Sequence, residues 1–92
     1  MEGFDDEEWA EMQEIYINHT SKELDKIKNQ LNLASLDSIR TFGHNIKGSG
    51  GMYGFNEVTE LGLLIETAAK EGNLDSIKSN LEVLEDFLQS KI

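Results

Sequence analysis

One histidine and one lysine stand close together in a glycine-rich stretch, HNIKGSGGMYG, at residues 44–54. A glycine inside a helix costs about 1 kcal/mol relative to alanine, so the four glycines of this stretch need a reason. A neutral imidazole is a nucleophile, and a lysine ammonium binds phosphate as a compact charge with three donors. These residue types indicate chemistry on an anion, with His44 as the reacting group and Lys47 beside it.

The spacing around His44 predicts that its side chain points away from the core. At about 100° per residue, the side of the helix opposite His44 carries Ile39, Phe42, Ile46 and Tyr53, with Leu36 at its margin. The residues within about 60° of His44 on the same wheel are Arg40, Lys47, Gly48 and Gly51. Side chains in a helix lean toward its N-terminus, so a glycine at position 48 leaves the imidazole open to a partner.

The other two glycines of the stretch have different predicted roles. Gly50 falls on the inner side, where it would allow close packing of helices, and Gly54 would end the helix. The window from residue 35 to 55 carries one acidic and two basic residues, whereas the whole chain has a net charge of −10. A locally positive window in an acidic protein suits an anion that arrives or is made there.

Apolar spacing is helical along the whole chain, which contains no proline. The first predicted helix begins near Asp6 after an Asp5 N-cap. Residues 20–23 (TSKE) have the form of a capping box, so this helix is either split there or continuous and bent. The second helix is predicted over about residues 36–53 after a Ser35 N-cap. The third is capped by Asn56 and followed by Gly72 as C′ residue, and the fourth is capped by Asn73.

Each predicted helix carries one apolar stripe. The stripe of the first contains Trp9, Met12 and Tyr16 and then shifts to Ile17, Leu24, Ile27 and Leu31. The stripe of the third contains Val58, Leu61, Leu64, Ile65 and Ala68, and that of the fourth contains Leu74, Ile77, Leu81, Leu84 and Leu88. Short connections between such helices favour antiparallel neighbours. The sequence therefore predicts an all-α, antiparallel up-down four-helix bundle, with the N-terminal helix continuous or split in two.

Composition narrows the class of protein. A chain of 92 residues makes one small domain, predicted over residues 1–92, and the absence of cysteine excludes a disulfide framework. No apolar run approaches the roughly 18 residues of a membrane span, and the acidic start MEGFDDEEW is unlike a signal peptide. We therefore expect a cytoplasmic location. The net charge of −10 argues against nucleic acid and membrane as partners.

The stretch HNIKGSGGMYG resembles the pattern H-x-[LI]-K-G-x-x-x-x-x-G of histidine-containing phosphotransfer (HPt) domains. The matching residues are His44, Ile46, Lys47, Gly48 and Gly54. Downstream, LLIETAAKEGNLDSI is similar to the family's L-E-x-A-A-x-x-G-[DN] segment, through Glu66, Ala68, Ala69, Gly72 and Asn73. Gly43 departs from the family, where alanine is more common, and we interpret it as loosening the helix without affecting the chemistry. We interpret Glu66 as structural.

This resemblance implies a phosphorelay intermediate whose His44 accepts a phosphoryl group from a receiver-domain aspartyl phosphate and passes it to another receiver aspartate. Lys47 would balance the phosphoryl charge, and Gly48 and Gly51 would let the receiver approach. Arg40 would be either a partner contact or a solubilising charge. The partner would be the receiver domain of a response regulator or of a hybrid sensor histidine kinase.

The resemblance also implies a phosphoryl carrier without an ATP site, and so not an enzyme in its own right. We expect no cofactor or metal of its own, with Mg²⁺ held by the partner receiver, and a monomeric chain.

Two other functions stay open at this level. The chain could be a helical module that binds a receiver or kinase without phosphotransfer. It could also be an acyl carrier protein using Ser38 in the sequence Asp37-Ser38-Ile39, although the tetrapeptide LDSI occurs twice, at 36–39 and 74–77. His19 has no supporting cluster, and we interpret it as a surface residue. Met52 and Phe55 border the His44 face as partner contacts or as partly buried packing residues.

Overall fold

Four helices follow one another along the chain in the computed structural model, which describes residues 5–92, with Leu33 described by its backbone alone. They are α1 (Asp6–Asn29), α2 (Leu36–Ser49), α3 (Asn56–Lys70) and α4 (Leu74–Gln89), with 3₁₀ turns at Leu33–Ser35 and Gly51–Tyr53. Helix α1 contacts α2 and α4, and α3 packs between α2 and α4, which closes the ring. No strand is present in residues 5–92. The predicted all-α four-helix bundle is confirmed.

Helix α1 is a single helix of 24 residues, so the split alternative is wrong. Thr20 begins no new helix; it is buried within α1 and only 2% exposed. The buried stripe continues past it through Leu24 and Ile27, which explains why the helix runs on. At the start of α1, the Asp5 side chain accepts a hydrogen bond from the Glu8 backbone N–H at 2.7 Å, which confirms the predicted N-cap.

The caps at the α3–α4 connection are as predicted. Gly72 adopts a left-handed backbone with φ of 66°, and the Asn73 N–H donates to the Ala68 carbonyl at 3.0 Å. This pairing ends α3 in a Schellman motif. The Asn73 side chain then accepts from the Ser76 N–H at 3.1 Å and caps α4.

Of the two N-caps predicted for α2 and α3, Ser35 holds the predicted position, whereas Asn56 does not. Ser35 precedes α2, but its side chain makes no capping hydrogen bond. Asn32 instead accepts from the Ala34 N–H at 2.9 Å and caps a 3₁₀ turn that leads directly into α2. Asn56 is the first residue of α3, and Phe55 before it has no side chain able to cap.

Helix α2 is one turn shorter than predicted and ends at Ser49. The Gly51 N–H donates to the Thr59 hydroxyl at 2.7 Å, outside the helical ladder. Gly54 adopts a left-handed backbone with φ of 86°, and so ends this segment, as predicted. The α2 register nevertheless stands, because Ile39, Phe42 and Ile46 are all buried.

The core draws on all four helices. Its fully buried large side chains are Leu24, Ile39, Val58, Ile65, Ile77, Leu81, Leu84 and Leu88. Leu64 was predicted to belong to this core but is 50% exposed. It lies one residue, about 100° of helix, from the fully buried Ile65, and the buried face of α3 extends the other way to Gly62 and Glu66.

Aromatic side chains attach α1 to the 3₁₀ turn that follows α2. The Tyr53 ring stacks on Tyr16, with centroids 4.5 Å apart, and on Trp9, at 6.4 Å. Gln13 donates from its amide nitrogen to the Tyr53 carbonyl at 2.8 Å. The C-terminal end of the glycine-rich stretch is therefore held by the N-terminal half of α1.

Candidate functional site

Glycines bring the backbones of α2 and α3 into direct contact beneath His44. A Cβ atom on Gly62 would lie 2.5 Å from the Lys47 backbone nitrogen, and one on Gly43 would lie 2.7 Å from the Glu66 backbone nitrogen. The interpretation of Gly43 as a mere loosening of the helix is therefore wrong, since a side chain there would force the helices apart. The predicted packing role of Gly50 is confirmed, because its Cβ would lie 2.7 Å from the Thr59 nitrogen.

This close approach places Glu66 of α3 between His44 and Lys47 of α2. Glu66 Oε2 lies 2.9 Å from His44 Nδ1, and Glu66 Oε1 lies 2.7 Å from Lys47 Nζ. The Glu66 residue is only 5% exposed, whereas the His44 side chain is 65% exposed. Glu66, which the sequence analysis interprets as structural, thus contacts both predicted site residues through its carboxylate.

The ion pair sets the charge state of Glu66. The hydrogen bond from Lys47 lowers the pKa of Glu66 below its ordinary value of 4.5, against burial, and the bond to His44 adds to the lowering. Glu66 is thus ionised at neutral pH and can only accept hydrogen bonds. The neutral His44 ring must therefore donate from Nδ1–H, which leaves the lone pair on Nε2.

The displayed face of His44 is as open as predicted. A Cβ atom at Gly48 would meet no atom within 4 Å. Arg40, one turn before His44, is exposed and borders a groove together with Lys70 of α3. The fold thus brings His44, Lys47, Gly48 and Arg40 to one surface, as the wheel predicted.

Other predicted residues lie elsewhere or differ in detail. Gly51 is exposed but sits in the second 3₁₀ turn, beyond the end of α2, so it is not two helical turns above His44. Met52 is 69% exposed and Phe55 is half-buried against the core. His19 is exposed on α1, at the edge of a groove between α1 and α2.

Sequence reasoning missed the contacts of Glu66 with His44 and Lys47, although one signal was present. Apart from Glu66, the buried residues of α3 are all aliphatic or glycine. A buried carboxylate among them requires a hydrogen-bonding or charged partner, because burying an unpaired charge is costly. Lys47 of α2 and Lys70, four residues after Glu66 on α3, were both candidate partners. The sequence therefore indicated that Glu66 has a partner without specifying which residue it is.

The fold and the site define a helical bundle that displays one histidine, with a buried carboxylate behind it and a lysine beside it. The family model of the Hpt domain matches residues 11–90 of this chain, which belongs to that family. No match is found among curated proteins or among solved structures.

The family implies histidine phosphotransfer in phosphorelay signalling, with receiver domains of response regulators or kinases as partners. Its members are phosphocarrier modules and are not enzymes in themselves. The acyl-carrier alternative based on Ser38 is not supported by this membership. In residues 5–92, no helix is long and apolar enough to cross a membrane.

Proposed function

We propose that His44 is the phosphoacceptor of this domain, taking a phosphoryl group from the aspartyl phosphate of one receiver and passing it to the aspartate of another. The observation that carries the proposal is the 2.9 Å contact between His44 Nδ1 and Glu66. A carboxylate at Nδ1 holds the imidazole in one tautomer and one orientation, with Nε2 as the nucleophilic nitrogen.

The transfer needs no other reacting group from this chain. The Nε2 lone pair attacks phosphorus, the bond from phosphorus to the donor aspartate oxygen breaks, and the aspartate leaves as a carboxylate with the electron pair. The ring then carries the phosphoryl group on Nε2 and its proton on Nδ1, so positive charge develops beside Glu66. In the onward step the second aspartate attacks phosphorus, and Nε2 leaves as a neutral nitrogen.

Lys47 and the glycines have supporting roles in this proposal. The Lys47 ammonium, one turn from His44 and 2.7 Å from Glu66, would balance the negative charge of the phosphoryl group. Gly48 and Gly51 would leave room for the receiver, and Arg40 would contact it. We assign the Mg²⁺ of the reaction to the receiver, and we expect the domain to act as a monomer.

The test is intact mass of the domain after mixing with a panel of receiver domains phosphorylated by acetyl phosphate in Mg²⁺. A phosphoryl adduct that is stable in base and lost in acid is expected on the wild type and absent from His44→Gln. His19→Gln, which removes the other histidine of the chain, is the matched control and should keep the adduct. An adduct on His44→Gln would overturn the assignment.

Lys47→Ala tests whether Lys47 only assists the transfer or is itself required for it. The variant should still form the adduct, but about tenfold more slowly, because Lys47 stabilises charge and forms no bond to phosphorus. Circular dichroism of each variant establishes that it is folded. A folded wild type that binds receivers but forms no adduct with any of them would favour the binding-only module.

A further inference from the structure

Two neighbouring leucines of α3 are about equally exposed but face different helices. Leu63 is 51% exposed and Leu64 is 50% exposed. Glu66, which contacts His44, marks the side of α3 that faces α2. Leu63 lies about 60° round the helix from Glu66, whereas Leu64 lies about 200° from it. Leu64 is therefore an exposed aliphatic residue on the side of α3 that is turned away from His44 and toward α4.

Val83 lies on the side of α4 that faces α3, and it is 54% exposed. Phe87, one turn after Val83, packs edge-on against Phe55 immediately before α3, with ring centroids 6.0 Å apart. Glu85, about 200° round the helix from Val83, pairs instead with Lys28 of α1 at 2.6 Å. Val83 and Leu64 therefore both border the outer side of the junction between α3 and α4.

Leu64 and Val83 also lie at similar levels along this junction. Helices α3 and α4 are antiparallel, matched by the contact of Phe55 with Phe87 at one end and by the short connection through Gly72 at the other. This places Leu64 and Val83 about one helical turn apart in level. Side chains lean toward the N-terminus of their own helix, so in an antiparallel pair these two lean toward each other. Adjacent exposed aliphatic side chains, unlike isolated ones, are typical of an interaction site.

Carboxylates surround these two aliphatic residues. Glu57 and Glu60 precede Leu64 on the same side of α3, by about two turns and one turn, and both are exposed. Asp86 is exposed and follows Val83 by about one turn on α4. We call Leu64, Val83 and these three carboxylates the α3–α4 face. A partner that covers this face must bring positive charge.

The lysines of residues 56–92 lie away from the α3–α4 face. Lys70 borders a groove together with Arg40 of α2. Lys78 borders a groove together with Lys28 of α1. Lys91 follows α4 and borders a third groove, which is lined mainly by residues of α1. The α3–α4 face is therefore apolar at its centre and acidic around it.

We propose that the α3–α4 face binds a basic amphipathic helix of a partner protein. The aliphatic side of that helix lies on Leu64 and Val83, and its lysines or arginines face the surrounding carboxylates. Helices that bind in this way are recognised through apolar residues spaced three or four apart. A second copy of this chain would bring the same carboxylates, and like charges across an interface are unfavourable. Because Leu64 and Glu66 lie on opposite sides of α3, such a partner leaves His44 accessible.

The test uses a synthetic, fluorescently labelled peptide of about four helical turns, with leucines three and four residues apart and lysines on either side of them. Fluorescence anisotropy measures its Kd for each variant. Leu64→Ser should weaken binding about tenfold, because it removes a central apolar anchor. Leu63→Ser is the matched control, since Leu63 has the same side chain and exposure, and it should keep the wild-type Kd. Circular dichroism establishes that both variants are folded. No binding to the wild type, or equal losses from the two variants, would overturn the proposal.

Charge selection is tested with Glu60→Lys and, as control, Glu82→Lys. Glu82 is also exposed, but it borders the groove between α1 and α4. Both substitutions change the net charge equally. Glu60→Lys should raise Kd about threefold at low salt and by less at high salt, because exposed charges act through screened attraction. Glu82→Lys should have a smaller effect, and equal effects would overturn the charge selection.

Two further measurements locate the bound peptide and identify the competing occupant. In NMR spectra of the ¹⁵N-labelled domain, the largest shifts on adding peptide are expected at the amides of Leu64 and Val83. Largest shifts at His44 and Gly48 would overturn the proposal. A wild type that sediments as a dimer, with Leu64→Ser as a monomer, would make the face an interface between copies and would also overturn it.

The inference does not depend on the proposed function, because peptide binding is measured without a receiver. A wild type that binds the peptide at the α3–α4 face but accepts no phosphoryl group would overturn only the role of His44. A wild type that forms the His44 adduct but does not bind the peptide would overturn only the α3–α4 face.

Discussion

The two sides of α2 are built in opposite ways. Toward α3, backbone meets backbone, because Gly43 and Gly62 leave no side chain between the helices. Toward α1, the polar contact is a single hydrogen bond of 2.8 Å between the Tyr16 hydroxyl and Ser49, and a groove separates much of the two helices. One helix is therefore held by direct backbone contact on the side of Glu66, and it is separated by a groove from the helix on its other side.

The difference teaches how a short helix can be both rigid and accessible. A hydrogen bond of 2.9 Å between His44 and Glu66 requires that the relative position of two helices be held within a fraction of an ångström. Direct backbone contact does this with few atoms. An open groove costs little on the other side, because the core beneath it is already filled by Ile39, Phe42 and Ile46.

The largest effect is expected from Gly62→Ala, which disrupts the backbone contact between α2 and α3. Its Cβ would lie 2.5 Å from the Lys47 nitrogen and 2.7 Å from the Gly43 carbonyl oxygen, and backbone atoms cannot move aside singly. The free energy of unfolding should fall by about 3 kcal/mol, the upper range for overpacking. Urea denaturation measures it, and an unchanged midpoint would contradict the close approach.

Glu66→Gln should weaken transfer without unfolding the domain. The amide keeps the size of the carboxylate but carries no charge for the ring that becomes positive during transfer. We expect the transfer rate from a phosphorylated receiver to fall about tenfold, the usual range for a residue that orients a reacting group. The exposed Glu60→Gln of the same helix is the control and should keep the wild-type rate.

Glu66→Gln also tests the ion pair with Lys47 through the pH dependence of stability. Because the pKa of Glu66 is lowered in the folded state, its pairing stabilises the fold above the ordinary carboxyl pKa of 4.5 and is lost as pH falls through the lowered value. Thermal melts from pH 6 down to about pH 3, across the carboxyl range, should show a steeper loss for the wild type than for Glu66→Gln. Parallel curves would contradict the ion pair with Lys47.

A moderate loss of stability is expected from Tyr16→Phe, which affects the contact between α1 and α2. Loss of the hydroxyl removes the hydrogen bond to Ser49 but keeps the ring stacked on Tyr53. The free energy of unfolding should fall by about 1 kcal/mol, the usual net value of one hydrogen bond. A double-mutant cycle with Ser49→Ala measures the coupling, and additive effects of the two substitutions would show that the bond contributes nothing.

The smallest effect is a gain in stability from Gly48→Ala. No atom lies within 4 Å of the new Cβ, so only the helix propensity changes. The free energy of unfolding should rise by about 0.5–1 kcal/mol. Transfer should slow, because the methyl group stands one turn from His44 on the face the receiver must approach. A loss of stability in Gly48→Ala would contradict the expectation that position 48, unlike position 62, has space for a side chain.

Much of this protein follows from local sequence. The 3.6-residue period of apolar side chains predicted four helices, and the wheel placed His44, Lys47 and Arg40 outward on α2, where the structure has them. The caps at Asp5 and Asn73 and the left-handed Gly72 were also readable. All of these depend on residues within about one turn of each other, where backbone geometry leaves few alternatives.

The features that only the tertiary structure determined depend on contacts between residues far apart in the chain. Helix α1 continues through Thr20 despite the capping-box sequence there, because burial against other helices favours an unbroken apolar stripe. The packing role of Gly43 depends on Gly62 lying opposite it on α3, and Glu66 joins the candidate site because that contact brings it to His44 Nδ1. Helical periodicity specifies the face on which a residue lies, but the pairing of two faces is set by how closely their backbones can pack.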